Sequence, residues 1–283
     1  MDQDRSPDRV FAGQVPAIYD DVLVPMIFGP YARDLAGRLR GRDSGSILEV
    51  AAGTGVLTRA LAAMLPASVA LVASDLNPDM IERAQVVGTA RAVRWDQADV
   101  QSLPYADESF DAVVSQFGAM FFPDKARAFA EVHRVLRPGG EFLFSVWDRI
   151  ETSEFALAVT EALAIQFPDD PPEFLRRTPH GYADPGVIRR HLEEAGFRGA
   201  MQVELVEEQS RAATAADVAI AFCQGTPLRA EIERQAPPGQ APQRLAEATA
   251  AARRAVEERF GATECVGRMS AWVVTACRAP GAL

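Results

Sequence analysis

Ile47-Leu48-Glu49-Val50-Ala51-Ala52-Gly53-Thr54-Gly55 reads as a buried strand that ends in a glycine loop and opens a helix. Gly53 and Gly55 remove the side chains that would hold a ligand away from the backbone. Apolar residues at Val56, Ala60, Leu61 and Met64 then recur at helical spacing, so the loop sits at a helix N-terminus with free N–H groups. That arrangement suits a nucleotide-like ligand.

The chain beyond residue 65 extends the pattern. A second apolar run over 69–73 leads to Asp75, about 22 residues after Gly53, the spacing at which a strand-end carboxylate meets the two ribose hydroxyls of a bound nucleoside. Further strands are expected over 92–95, leading to Asp99 and Val100, over 110–115, ending at Gln116, and over 142–147. A helix over 125–136 and the turn Arg137-Pro138-Gly139-Gly140 precede the last of these. Strands alternating with helices, with acids at successive strand ends, predict a doubly wound parallel sheet.

These residues resemble the class I methyltransferases that use S-adenosylmethionine, in the small-molecule group similar to the ubiquinone and menaquinone biosynthesis C-methyltransferases. The likeness is densest over 47–147: the loop from Glu49 to Gly55, Asp75, Asp99 followed by Leu103-Pro104, Ser109-Phe110-Asp111 and Leu136 to Gly140. Beyond residue 150 it thins to Glu194-Ala195-Gly196-Phe197. One departure is Ala51, where many members carry the first glycine of the loop; a methyl there is expected to shift the backbone only slightly. The resemblance implies a Rossmann-like α/β fold, a seven-stranded doubly wound sheet, mostly parallel with one antiparallel strand, plus a helical cap and an insertion. It implies S-adenosylmethionine as cofactor, with S-adenosylhomocysteine as product, held by Tyr19, Glu49, Ala51, Gly53, Gly55, Asp75, Leu76, Met80, Asp99, Val100 and Gln116. Tyr19 resembles a leader tyrosine that reaches the cofactor's carboxylate in related enzymes; packing over the core edge is the equal alternative.

The residues themselves favour the same ligand. Glu49 with the loop suits an amino acid end, Asp75 a diol and Asp99 an adenine amine. A dinucleotide oxidoreductase would place pyrophosphate on the helix N-terminus, which Glu49 repels, and would favour a third glycine where Thr58 stands.

Organisation outside the core is expected as a helical cap over 1–45, the cofactor-binding core over 46–150, an insertion lining the acceptor pocket over 151–195, and the C-terminal part of the sheet with a helical insertion over 196–283. The alanine-rich stretch 241–260 reads as a surface packing helix.

Methyl transfer is an in-line displacement for which the protein mainly aligns and dehydrates the reactants. A base is needed only where the nucleophile arrives protonated. Of three histidines, His133 lies inside a helix away from strand ends, His191 is expected exposed beside Arg189 and Arg190, and His180 occupies a loop that an acceptor could reach. Asp148, directly after a strand, either orients an acceptor proton or caps the helix near Ser153. His180 and Asp148 are the catalytic candidates. Phe117, Met120, Phe121 and Phe122 exceed what a turn requires and suggest a hydrophobic, aromatic or polyketide-like small molecule, with the O-, C- or N-acceptor open. Two other classes remain: an enzyme that uses the bound cofactor to assist cyclisation or rearrangement, and a non-catalytic subunit with the same fold.

The 283 residues, 48% hydrophobic with net charge −10, suit a soluble enzyme and disfavour a nucleic acid acceptor. Basic pairs such as Arg176-Arg177, Arg189-Arg190 and Arg253-Arg254 read as solvated helix faces. Cys223, Cys265 and Cys277 form no metal or redox pattern, and no apolar run approaches a membrane span, so a reduced cytoplasmic setting is expected; the oligomeric state, a homodimer included, stays open.

Overall fold

The computed structural model describes residues 15–281; the first fourteen residues of the expected cap lie outside the described residues. In chain order come α1 (Val15–Ile18), a π-helix (Tyr19–Phe28), α2 (Gly29–Arg38), β1 (Gly45–Val50), α3 (Val56–Met64), β2 (Val69–Asp75) and α4 (Pro78–Val87). Next are β3 (Arg94–Gln97), β4 (Phe110–Gln116), α5 (Lys125–Val135), β5 (Leu136–Trp147), α6 (Glu154–Gln166), α7 (Phe174–Arg177) and α8 (Pro185–Glu194). The chain ends with β6 (Met201–Thr214), α9 (Ala215–Gln224), α10 (Leu228–Arg234), α11 (Ala241–Phe260) and β7 (Thr263–Cys277).

Contacts divide the chain into two compact units, each built from separated segments. Of the described residues, 30–147, 182–206 and 271–281 form one, and 15–29, 148–181 and 207–270 form the other. The leader therefore divides after Gly29, and β6 and β7 each contribute to both units.

The first unit contains the sheet, in the order β3-β2-β1-β4-β5-β7-β6. β3, β2, β1, β4 and β5 run parallel, and β7 pairs antiparallel with β5. The strand order reverses between β1 and β4, the switch point beyond whose carboxyl ends open α/β sheets bind ligands. Alternation along β5 feeds two cores. Leu143 joins Leu35, Leu39, Ile47, Leu57, Leu61 and Leu71, all at most 6% exposed, on one face. Phe142 and Phe144 stack on the other, with Phe129 of α5 and Phe197 against them.

β3 lies at Arg94–Gln97, two residues beyond the expected 92–95, and β5 departs further from its sequence-based bounds. β5 begins at Leu136 rather than 142, because Arg137 to Gly140 are absorbed as an irregularity: the partner of Phe110 is Leu136, while that of Ala112 is already Glu141. β6 runs on to Thr214, since Val206, Glu208, Ser210 and Ala212 alternate inward, and the Thr214–Asp217 capping box then starts α9.

In the second unit α11 packs on α9 and α6 through Leu245, Ala248, Ala252 and Val256, a stripe narrow enough to let the helices approach closely. Arg177 is exposed, as expected of a solvated basic pair, and also holds a partner. It donates to Glu231 Oε1 at 2.5 Å, and the buried Glu231 accepts from the Glu173 and Phe174 N–H groups through Oε2, capping α7 from α10. Among the described residues no helix is long and apolar enough to cross a membrane.

Candidate active site

Val50 at the end of β1 lies opposite Ser74 of β2, and the Ala52 N–H continues the pairing by donating to the Ser74 carbonyl at 3.0 Å. The chain then turns through left-handed conformations at Ala51 (φ 53°), Gly53 (φ 56°) and Gly55 (φ 83°). The two glycines serve different ends. A Cβ on Gly55 would lie 2.8 Å from the Trp95 ring and 3.3 Å from Ala84 Cβ, so this glycine seats the start of α3 against the protein itself. A Cβ on Gly53 would meet nothing within 4 Å. Only Gly53 therefore borders open space, which narrows the expectation that both glycines face a ligand.

Two acids are buried beside this turn. Glu49 is 3% exposed and its Oε2 accepts from Thr58 Oγ1 at 2.5 Å. Burial pushes its carboxyl up to about 8, the Thr58 hydrogen bond pulls against that, the Asp75 charge adds to it and Arg59 opposes it. Sequence reasoning missed Thr58 as a partner of Glu49; its place one turn into α3, on the face toward Glu49, was the available signal. Asp75 Oδ2 accepts from the Gly53 N–H at 2.8 Å and Oδ1 from the Asn77 N–H at 2.8 Å, while burial raises its pKa. The carboxylate thus braces the loop as well as standing at the end of β2.

Asp99 follows β3 and accepts from the Gln101 N–H at 2.9 Å. The β3 end is tied to β2 by Ala98 N–H donating to the Asp75 carbonyl and Gln97 Nε2 donating to the Leu76 carbonyl. Met80, Val100 and Gln116 are at most 9% exposed, and Leu76 is half-buried. Glu49, Ala51, Gly53, Gly55, Asp75, Leu76, Met80, Asp99, Val100 and Gln116 all belong to the unit that contains the sheet. Near Gln116, the buried hydroxyls of Ser115 and Ser145 have no hydrogen-bond partner.

Tyr19, Asp148 and His180 belong to the other unit. Tyr19 lies in the π-helix and stacks on Phe28 at 5.0 Å between centroids. Asp148 is tied to Ser270 and His180: its N–H donates to the Ser270 carbonyl, its Oδ2 accepts from Ser270 Oγ at 3.1 Å, and its carbonyl lies 2.7 Å from His180 Nδ1. A carbonyl can only accept, so Nδ1 carries the proton and Nε2 is the acceptor nitrogen. Desolvation lowers His180 to about 4 and keeps the ring neutral near pH 7.

Two other expectations change, while His133 lies inside α5 as expected. Phe117, Met120 and Phe122 are at most 6% exposed and are packing residues: Phe117 stacks on Trp147 at 3.8 Å with Tyr31 edge-on, and Phe122 meets Phe129. His191 is not simply exposed, since its Nδ1 lies 2.9 Å from Tyr182 Oη and Lys125 Nζ stands 4.8 Å above that tyrosine ring. His133 packs edge-on against Phe197 at 5.1 Å. No cluster able to hold a metal is found among the described residues.

Residues 48–144 match the methyltransferase domain family. The chain is 35% identical over 140 residues to the uncharacterized protein Rv1403c of Mycobacterium tuberculosis, which covers 48% of this chain and 47% of that one. It is 29% identical over 191 residues to the ubiquinone/menaquinone biosynthesis C-methyltransferase UbiE of Enterobacter sp., covering 64% of this chain and 72% of that one. The chain spans about half the length of the mycobacterial relatives it matches. Among solved structures, the Bacillus subtilis YcgJ protein superposes with TM-score 0.54 at 18% identity, over 89% of this chain and 100% of that one. The [4+2]-cyclase SpnF does so with TM-score 0.51 at 21% identity, over 89% and 82%. Fold likeness of this kind is common to methyl transfer and cyclisation. Over residues 48–144 the chain is therefore similar to methyltransferase domains, and over a longer stretch to a UbiE C-methyltransferase.

Proposed function

We propose that the protein transfers a methyl group from S-adenosylmethionine to a small molecule with an apolar, aromatic or polyketide-like skeleton. The observation that carries this reading is Gly53, whose left-handed backbone is braced by the buried Asp75 carboxylate while its Cβ position is open. A ligand can approach the peptide there closely, which is the fit a loop-bound amino acid end requires. The cofactor, when bound, supplies an activated methyl group and a neutral leaving group.

The chain's part is to bind and orient. Asp75 and Asp99, at the ends of β2 and β3, suit the ribose diol and the adenine amine, and Glu49 places a second acid by the loop for an ammonium group. Met80 and Val100 offer apolar surface for a base, and Gln116 closes β4 near the methionine part. His180, whose Nδ1–H is held by the Asp148 carbonyl, is the base proposed for a nucleophile that arrives protonated. A base with a conjugate acid near 4 suits an acidic hydroxyl or enol better than an aliphatic alcohol. The apolar skeleton follows from the composition of residues 117–122, now narrowed to the half-buried Phe121. The net charge of −10 supports an uncharged or cationic acceptor over nucleic acid.

Incubation with methyl-labelled S-adenosylmethionine and a panel of phenolic, enolic and amine acceptors tests this. Label in an organic product, with S-adenosylhomocysteine formed in equal amount, is the expected result. A product isomerised without label would instead mean that the bound cofactor assists a rearrangement.

A further inference from the structure

A left-handed backbone favours glycine, yet at Ala51 (φ 53°) the chain carries a methyl group. An ordinary helical conformation accepts any residue, yet Gly118 (φ −95°, ψ −37°) carries none. The two anomalies face each other. A Cβ built on Gly118 would lie 2.6 Å from Ala51 Cβ and 2.7 Å from Ser115 Oγ, closer than real Cβ contacts approach. Space, not conformation, therefore demands glycine at 118, and the Ala51 methyl is one of the atoms that fills it.

The pair stands at a significant place. Ala51 directly follows β1 and Gly118 lies two residues past β4, and these neighbouring parallel strands flank the point where the sheet order reverses. Phe117, beside Gly118, is also left-handed (φ 52°), and its ring is held by Trp147. Two strained non-glycine residues at the ends of adjacent strands persist only if their surroundings fix them. The packing of Ala51 on Gly118 and of Phe117 on Trp147 does so.

We infer that Gly118 is a positioning residue for the cofactor loop: the Ala51 methyl, seated on the bare Gly118 backbone, fixes the turn that presents Gly53 to the ligand. The inference rests on the reading of the loop as the S-adenosylmethionine site. A loop with glycine at 51 would have no such dependence on position 118.

A mutant cycle in a Ser115→Ala background, where the second contact is absent, isolates the pair. Melting temperature and calorimetric affinity for S-adenosylhomocysteine are measured for the background and with Gly118→Ala, Ala51→Gly and both. Gly118→Ala is expected to lower the melting temperature and to weaken S-adenosylhomocysteine at least tenfold. Adding Ala51→Gly is expected to restore both, the affinity to within about threefold of the background. The inference is overturned if Gly118→Ala changes neither quantity, if Ala51→Gly rescues nothing, or if the melting temperature is rescued while the affinity never changed. The last outcome means that the contact is structural only. Should the parent protein bind neither S-adenosylmethionine nor S-adenosylhomocysteine, the cofactor reading fails, and the melting temperatures alone still decide whether Ala51 and Gly118 are coupled.

Discussion

Glu49 and Asp75 place two carboxyls in a dry site within reach of each other's charge, and the protein resolves the conflict by giving them different partners. Asp75 receives backbone N–H groups, those of Gly53 and Asn77 among them, which favour its charged form; Glu49 receives one hydroxyl and keeps a proton until a cation such as an ammonium group stands beside it. The consequence for stability has a definite sign. Between the ordinary value of 4.5 and about 8, the unfolded chain has released the Glu49 proton while the folded one holds it. Stability therefore falls as pH rises through that window and levels off above it. Glu49→Gln is expected to flatten this fall in a series of melting temperatures across the window, and an unchanged slope would contradict the assignment. His180 works in the opposite sense: lowered from 6.5 to about 4, it stays neutral in the folded chain, and stability is lost as pH falls through that interval. His180→Gln should remove that acid-side loss, and its turnover should drop only with acceptors that arrive protonated.

The loop can also be probed at single residues. Gly53→Val forces a β-branched side chain into a left-handed backbone and fills the open space, at a cost of about 1–3 kcal/mol. The expected result is about tenfold to hundredfold weaker S-adenosylhomocysteine binding, with Gly53→Ala less affected. At this scale the sequence showed the glycines, Asp75 and Asp99 because their meaning is local: a strand end followed by a turn. It could not show the Thr58–Glu49 bond or the Ala51–Gly118 contact. Both depend on side chains meeting after the helix and strands have packed, and the second joins residues far apart in the chain.

Among the elements, α7 is too short to hold itself, and Glu231 of α10 supplies the acceptor for its first N–H groups. Glu231→Ala leaves two N–H groups and Arg177 without that carboxylate. A loss of about 1–3 kcal/mol in denaturant unfolding is expected, with Glu231→Gln, which keeps an acceptor oxygen, losing less. A null effect would mean that water replaces the cap at no cost. Strand positions were legible from apolar runs, but their lengths were not. The Arg137 to Gly140 turn hides inside β5, and the inward-facing Glu208 and Ser210 of β6 disguise a strand as a polar segment. The aromatics at 117–122 were only partly legible for a related reason: composition does not distinguish rings that can line a site, as the half-buried Phe121 can, from rings, like Phe117 on Trp147, that pack on one another.

For the whole molecule, the doubly wound parallel sheet was readable from the alternation of strands and helices, while the antiparallel strand, β7 beside β5, was expected from the family resemblance alone. The grouping of segments into two units was not, because each unit is assembled from stretches far apart in sequence, and periodicity carries no information on which distant helices meet. The candidate residues follow that division: the loop and its acids lie in the unit with the sheet, and Tyr19, Asp148 and His180 in the other. The central claim is that the loop braced by Asp75 binds S-adenosylmethionine. Calorimetric titration of wild type and Asp75→Ala with S-adenosylmethionine, S-adenosylhomocysteine and NADH tests it most directly. The account predicts micromolar binding of both sulfur nucleosides by wild type, none of NADH, and affinity at least tenfold weaker in the variant. Binding of NADH instead, or a variant that binds S-adenosylhomocysteine as tightly as wild type, would contradict it.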